Sequence, residues 1–334
     1  MSGLPGDPPA ASHKGDPRMH RTIEKRGLSA DGVRQDGEGD RQMTDLHFDV
    51  PITENRARSA LPFLVAHRGV CGANVPCNSM AAFRTAVAQG AEVIELDVSK
   101  SRDGKFYVFH PGMEPVYLAG GKSIAETDSE EVDATPLLNA DRVPTHYRVP
   151  KLADVFALLK DRVYINVDKY WTDIEGITEE IYRAGVEKQV IVKAYADPET
   201  VRRVLEVAPE LMFMQMVRDR DETTDALCES HLHFIGNELL FDREDSPLLA
   251  PEYLAGLRAR GLLIWGNAIV YNEQDVISAH HTDDASLTVG PEHGWGWFAD
   301  RGFDFVQTDW LLACRTYLQE RVSAGAPHRS SNQG

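Results

Sequence analysis

An apolar run that carries two acidic residues constrains this chain more than any other feature of its sequence. The run is Val-Ile-Glu-Leu-Asp-Val, over residues 93–98. Side chains alternate along a β-strand, so Glu95 and Asp97 point to one side and the apolar residues to the other. Burying an unpaired charge is costly, which normally keeps carboxylates away from a buried strand face. Two hard oxygen ligands on one face suit a divalent cation such as Mg²⁺ or Ca²⁺; a solvated edge strand is the alternative.

Three further apolar runs each end in a charged or titratable group. They are residues 63–66, 106–109 and 163–167, followed by His67-Arg68, His110 and Asp168-Lys169 respectively. In a parallel sheet, ligands bind at the carboxyl ends of the strands. If the four strands are parallel neighbours, these groups meet at one face, and that face is the predicted site.

Apolar strand runs alternate with helical stretches from residue 62 onward. Residues 174–184 and 252–260 are predicted helices, and Asp197-Pro198 supplies the cap and first-turn proline that begin another. We count about eight parallel-type strands with intervening helices over about 270 residues, the size of a (β/α)8 TIM barrel. A doubly wound open sheet is the alternative, but no G-x-G-x-x-G motif follows the first strand. The predicted fold class is therefore α/β, a TIM barrel.

Composition divides the chain into a barrel and two tails. Residues 1–43 are rich in Gly, Pro, Asp and Arg, so we expect a disordered tail there, and another over residues 323–334. Residues 44–322 form the predicted barrel. Two stretches, about 112–149 and about 268–291, interrupt the strand–helix alternation. Because each follows a strand that ends in candidate site residues, we expect both to lie over the C-terminal face as a lid that sets substrate choice.

Charge and cysteine content limit the partners and the compartment. The formal net charge is -17, which argues against nucleic acid as a partner because phosphate neutralisation requires a basic face. No apolar run reaches the length of about 18 residues that spans a bilayer, and residues 1–43 contain no signal-peptide core. Four cysteines without such a signal predict reduced thiols in a cytoplasmic protein.

Five motifs in the first half of the chain resemble the glycerophosphodiester phosphodiesterase family. They are His67-Arg68-Gly69, Pro76-Cys77-Asn78-Ser79, residues 90–98, Asp103-Gly104 and Val108-Phe109-His110. The similarity continues through Pro150-Lys151-Leu152 to Asp168-Lys169, Trp265-Gly266-Asn267 and Gly302-Phe303-Asp304 to Asp309. The resemblance implies a TIM barrel with a divalent cation at its mouth. It further implies hydrolysis of a small-molecule glycerophosphodiester to glycerol 3-phosphate and an alcohol, in lipid and glycerol metabolism.

The same resemblance implies a role for each candidate residue. Glu95, Asp97 and Asp168 would hold one divalent cation, Mg²⁺ or Ca²⁺, that neutralises the phosphodiester. His67 and His110 would be the acid–base pair, since a pKa near neutrality suits that work. The residues implied in substrate binding are Arg68, Lys169, Lys193, Trp265 and Asn267.

Four positions depart from the family pattern. Cys77 and Ser79 occur where the family commonly has Glu and Thr, which removes one acidic group near the site. Pro111 follows His110 where Asp is usual, and Asp168 replaces Glu as the third carboxylate. These departures predict a divergent branch whose substrate need not be a simple glycerophosphodiester.

Alternatives to hydrolysis stay open on the sequence. With the same residues, a substrate hydroxyl could attack phosphorus and give a cyclic phosphate, as in the related phospholipase D toxins. A non-catalytic barrel could instead bind a phosphorylated ligand; the missing Glu at Cys77 favours this function and the two histidines oppose it. Lys193 is equally compatible with an interior ion pair, and Trp265 with the barrel core.

Overall fold

The computed structural model describes residues 45–272 and 274–325. Its strands are β1 (Phe63–Ala66), β2 (Val93–Lys100), β3 (Phe106–Val108), β4 (Pro136–Leu138), β5 (Pro144–Arg148), β6 (Tyr164–Asp168), β7 (Val190–Tyr195), β8 (Met212–Arg218), β9 (Phe234–Leu240), β10 (Leu263–Asn267) and β11 (Phe305–Thr308). Its helices are α1 (Ile52–Arg58), α2 (Met80–Ala88), α3 (Glu114–Tyr117), α4 (Ser129–Ala134), α5 (Leu152–Leu159), α6 (Ile174–Ala184), α7 (Pro198–Val207), α8 (Thr224–Glu229), α9 (Pro251–Ala259), α10 (Asp283–Thr288), α11 (Trp295–Asp300) and α12 (Leu311–Ser323).

Eight parallel strands of the described residues close into a barrel. The sheet closes because β1 pairs in parallel with both β2 and β11. The other strands follow around the barrel in chain order, from β2 through β6, β7, β8, β9 and β10 to β11. Helices pack outside the sheet; α5, for example, buries Leu152, Val155, Phe156 and Leu159. The predicted (β/α)8 TIM barrel is confirmed.

The prediction that the strand before His110 is parallel to its neighbours is wrong. β3 is antiparallel to the C-terminal end of β2 and is therefore not one of the eight barrel strands. The connection, residues 101–105, is a short turn, whereas a parallel crossover needs a dozen or more residues. His110 still reaches the barrel mouth, because the N–H of Phe109 donates to the Asp97 carbonyl at 2.9 Å.

Inward-facing side chains change from apolar to polar toward the carboxyl ends of the strands. The lower part of the barrel is an apolar cluster against which Leu46 and Phe48 pack; it comprises Ile52, Phe63, Val65, Val93, Tyr164, Ile191, Met212, Met214, Ile235, Leu263, Trp265 and Phe305. Inward positions recur every second residue, and above this cluster they become polar. We call these buried residues the polar layer: Glu95, Asn166, Lys193, Glu238, Asn267 and Gln307.

The two insertions have different structures. Residues 112–149 contain α3, α4 and the antiparallel β4–β5 pair, and they share an apolar cluster with Tyr107 and Phe109. Residues 268–272 and 274–291 contain α10 and, before it, bends and turns with an isolated bridge between Ser278 and Phe241. The tail predicted over residues 1–43 lies outside the described residues, as does most of residues 323–334, although α12 extends to Ser323.

Two smaller predictions concern cysteines and membranes. All four cysteines lie within the described ranges, and all are free thiols. Among the helices of residues 45–272 and 274–325, none has the length and apolar character needed to cross a membrane.

Replacing Phe305 by alanine tests the apolar cluster. The Phe305 ring stacks on Trp265 at 4.9 Å between centroids and meets Phe63 edge-on at 5.8 Å. We expect Phe305→Ala to lower the free energy of unfolding by about 3–5 kcal/mol, because it leaves a cavity in a packed core. Urea unfolding followed by circular dichroism measures the loss. The control Val289→Ala, at a side chain that is 69% exposed, should change it by less than about 0.5 kcal/mol.

Candidate active site

Three carboxylates meet where the parallel pairing of β2 with β6 ends. Glu95, Asp97 and Asp168 each offer an oxygen atom that lies within 4.8 Å of the others. Asp97 and Asp168 are register partners on neighbouring parallel strands, and Glu95 precedes Asp97 by one inward step. The structure thus brings together the three residues that the sequence suggested as metal ligands.

The carboxylate cluster is buried, and its neighbours do not fully neutralise its negative charge. Burial, followed by repulsion from Asp97, raises the pKa of Glu95 to about 8. Burial also opposes ionisation of Asp97, but attraction to Arg68 and His110 outweighs it and holds the pKa of that carboxyl below its usual value. Ionisation of one carboxyl in such a cluster disfavours ionisation of its neighbour, and a bound cation would relieve this repulsion.

The oxygen atoms of the cluster fit a hard divalent cation. One oxygen of Glu95, Oε2, accepts the backbone N–H of Arg68 at 3.0 Å. Oδ2 of Asp97 accepts from Nδ2 of Asn78 at 2.9 Å and lies 3.0 Å from Nε of Arg68. Oδ1 of Asp97 is buried and accepts no hydrogen bond from any described residue. The protein therefore orients these carboxylates through one oxygen and leaves the other for an oxygen-preferring ion.

Two cationic side chains border the cluster. Arg68 adopts a left-handed backbone conformation, with φ of 56°, and its carbonyl accepts the N–H of Asn78 at 2.9 Å. This contact ties the two ends of the loop that follows β1. Lys169 donates to Oδ2 of Asp168 at 2.9 Å. Both cations line the pocket described below, where they can attract a phosphate group.

The two histidines have pKa values displaced in opposite directions. Burial disfavours protonation of His67, but Asp309, whose Oδ1 lies 2.8 Å from Nδ1 of the ring, overcomes it and raises the pKa of His67. Burial lowers the pKa of His110, with Arg68 contributing and Asp97 opposing. Nδ1 of His110 lies 2.8 Å from the Pro111 carbonyl, which orients Nε2 toward Oδ1 of Asp97, 3.9 Å away.

A pocket of about 200 Å³ opens above these groups. Of the residues that the sequence suggested, those that line it are His67, Arg68, Glu95, His110, Asp168, Lys169, Lys193 and Asn267. Trp265 does not line it: the ring is fully buried, and Nζ of Lys193 lies 3.1 Å above its centroid. Trp265 supports the pocket floor from below.

Sequence reasoning missed four residues of the site. Asp309 directly follows the last barrel strand, β11, so the rule that found the other strand-end groups would have found it. Glu238 is a carboxylate inside an apolar strand, the same signal that singled out Glu95. Asn78 belongs to the Pro76-Cys77-Asn78-Ser79 motif that carried the family resemblance, but its contact with Asp97 was not predicted. Gln307 carried no signal, because its role depends on neighbours that are distant in sequence.

The insertions contribute to the pocket unequally. Tyr271, Asp275 and Ile277 of the second insertion line it, whereas none of residues 112–149, all of which the structure describes, does so. The first insertion instead packs on the loop after β1, where Nδ2 of Asn139 donates to Oδ1 of Asn74 at 3.1 Å. It therefore supports the loop that carries Arg68.

Comparison with known proteins gives a family match. Residues 67–266 match the model of the glycerophosphoryl diester phosphodiesterase family. A glycerophosphodiester phosphodiesterase from Caldanaerobacter subterraneus is 30% identical over 156 residues, which cover 44% of this chain and 63% of that protein. The chain thus matches less than two thirds of the length of this curated relative.

Solved structures show the same fold. A glycerophosphoryl diester phosphodiesterase from Parabacteroides distasonis has a TM-score of 0.64 at 20% identity, over 84% of this chain and 95% of that one. A phosphodiesterase from Oleispira antarctica, solved in complex with the product sn-glycerol-3-phosphate, has a TM-score of 0.55 at 18% identity, over 78% of this chain and 97% of that one. At these identities the likeness establishes the barrel architecture.

The contact between His67 and Asp309 predicts a shift in histidine titration. We expect Asp309→Asn to lower the pKa of His67, because the amide can still accept a hydrogen bond but no longer attracts the imidazolium. An NMR titration of the imidazole protons measures the change. Asp300→Asn, which removes a carboxylate paired with Arg321, should leave the His67 titration unaltered. An unchanged pKa in Asp309→Asn would contradict the assignment.

Proposed function

Because the chain belongs to the glycerophosphoryl diester phosphodiesterase family, we propose that it is a metal-dependent phosphodiesterase that converts glycerophosphodiesters to glycerol 3-phosphate and an alcohol. The observation that carries this proposal is that three clustered carboxylates, of which Glu95 and Asp168 line the pocket and Asp97 lies buried beside it, adjoin two histidines that also line it. The Oleispira antarctica protein that binds sn-glycerol-3-phosphate supports the choice of product.

Glu95, Asp97 and Asp168 would hold one divalent cation, Mg²⁺ or Ca²⁺. When bound, such an ion supplies charge neutralisation at the phosphodiester and stabilises the charge that develops at phosphorus. Arg68 and Lys169, which both line the pocket, would bind the phosphate oxygens. Because both side chains are already paired with carboxylates of the cluster, they are held in position before the substrate arrives.

The opposite pKa displacements suggest how the histidines divide the acid–base work. His67, whose protonated form Asp309 favours by raising its pKa, is suited to donate a proton to the leaving alkoxide. His110, whose pKa is lowered, is neutral near pH 7 and suited to accept a proton from the attacking nucleophile. Two titratable groups displaced in opposite directions are the usual sign of an acid and a base in one site.

Removing one carboxylate tests the metal requirement. We expect chelation with EDTA to abolish activity on glycerophosphoethanolamine, and added Mg²⁺ or Ca²⁺ to restore it. Glu95→Gln should lose activity by about 10²-fold or more. Mutating a residue that only hydrogen-bonds to a metal ligand typically costs 10–100-fold in metal affinity or activity, and a ligand itself should cost at least as much. The same variant should lose the rise in melting temperature that the cation gives the wild type. The control Asp128→Asn, at a surface ion pair, should keep both. A Glu95→Gln variant that is still stabilised and activated by metal would contradict the proposed ligand.

His110→Ala tests acid–base catalysis. We expect kcat to fall by about 10²–10⁴-fold, the usual contribution of a positioned proton-transfer group. His146→Ala, at a histidine of β5 outside the pocket, is the control and should retain the wild-type rate. Phosphorus NMR of the products distinguishes the outcomes: glycerol 3-phosphate supports hydrolysis, and a persistent cyclic phosphate would show a lyase. If the wild-type protein turned over no phosphodiester with any divalent cation, the proposal would give way to a binding protein.

A further inference from the structure

We propose that Lys193, Glu238 and Asn267 form a subsite that binds adjacent hydroxyl groups of the substrate, as on the glycerol half of the ester. This inference rests on the proposed function and assigns a specificity role within the same pocket. Glu238 is its central residue.

The three side chains form one connected network on the pocket floor. Nζ of Lys193 lies 3.1 Å from Oε2 of Glu238. Nδ2 of Asn267 donates to Oε1 of the same carboxylate at 2.8 Å. The indole N–H of Trp265 donates to Oδ1 of Asn267 at 3.3 Å. The network fixes the direction of each polar group before any ligand binds.

Barrel stability gives no reason for this network. A buried ion pair loses the hydration of both charges, and replacing one with apolar residues of similar volume is often neutral or stabilising. The inward positions immediately below are filled by apolar residues, including Ile191 below Lys193. Lys193 and Glu238 lie where the barrel interior meets the pocket, and both residues line the pocket. Their position therefore indicates a polar ligand.

The remaining hydrogen-bonding capacity indicates which polar ligand. A carboxylate can accept about four hydrogen bonds, and within the described residues Glu238 has a partner at each oxygen atom, so further acceptor capacity remains. Two other acceptors in the polar layer, Oδ1 of Asn166 and Oε1 of Gln307, are buried without a partner in the described part of the chain. Nδ2 of Asn166 donates to the Ile191 carbonyl at 3.2 Å. The Asn166 side-chain oxygen therefore points away from Ile191. Acceptors of this kind require donors, and hydroxyl groups supply them.

The charge of this subsite differs from that of the site proposed for the phosphate. The Glu238 carboxylate repels an anion, whereas the carboxylate cluster with its cation and Arg68 attracts one. Lys193 belongs to β7, which is adjacent in the sheet to the strand that carries Asp168. A phosphodiester bound at the cluster therefore directs one of its substituents over the polar layer. The wall above includes an apolar group that can contact the carbons of that substituent: Met216, Leu240, Ile269 and Ile277.

Substrate selectivity tests the inference. We compare kcat/KM for glycerophosphoethanolamine with kcat/KM for bis(p-nitrophenyl) phosphate, which has no hydroxyl groups. In Glu238→Gln this ratio should fall at least about tenfold, mainly through a higher KM for glycerophosphoethanolamine, because a hydrogen bond to a charged group is lost. Glu238→Asp should recover part of the ratio.

Two further variants separate binding from folding. Glu238→Gln leaves Lys193 unpaired, so the double variant Lys193→Met with Glu238→Leu replaces the whole ion pair by apolar residues; we expect it to fold and to lose the same selectivity. Glu92→Gln disrupts another buried ion pair, with Arg315 at 2.8 Å, outside the pocket. It should lower stability and keep the ratio within about twofold of wild type.

The outcomes distinguish this inference from the proposed function. A wild-type protein that hydrolyses neither compound with Mg²⁺, Ca²⁺ or Mn²⁺ overturns both. Active enzymes in which Glu238→Gln and the double variant keep the wild-type ratio, or lose both substrates in parallel, overturn the hydroxyl subsite alone. A selective loss on glycerophosphoethanolamine establishes it.

Discussion

Repulsion among three carboxylates at one barrel mouth is the constraint on which the rest of the site depends. Glu95 and Asp97 have almost no solvent exposure, so water cannot screen them, and the surrounding residues compensate. Arg68 and Asn78 hold Asp97 from the loop after β1, and Lys169 holds Asp168. The compensation is incomplete, as the raised pKa of Glu95 shows. A divalent cation held by the three carboxylates would complete it, and metal binding would then be coupled to the charge state of the site.

The architecture was predictable because it depends on local patterns. Alternation of apolar runs and helices gave the barrel, and the position of charged residues at strand ends gave His67, Glu95 and Asp168 as neighbours. The error concerned β3: an apolar run followed by a histidine looks the same whether the strand is parallel or antiparallel. Only the length of the connection from β2 distinguishes the two, and that length was decisive.

The rest of the site depends on contacts that no local pattern encodes. Asn78 reaches Asp97 only because its loop folds back on Arg68, and the first insertion holds that loop through Asn139. Asp309 meets His67 because β11 closes the barrel against β1, 242 positions away in the sequence. Closure of the barrel thus creates the pair of His67 and Asp309. From the sequence, this pair could be predicted only by assuming that the last strand lies beside the first.

The boundary between the apolar cluster and the polar layer separates stability from specificity. On β10, Trp265 is fully buried beneath the pocket and Asn267 lines it, although they are one inward step apart. On β11, Phe305 is likewise buried beneath the pocket and Gln307, one inward step further, lines it. Strand geometry fixes this step at two residues, so a change below the boundary alters the packed core and a change above it alters the pocket lining. Lys193 spans the boundary, since its ammonium group contacts the Trp265 ring below and Glu238 at its own level. Lys193 therefore links the packed core to the groups that line the pocket.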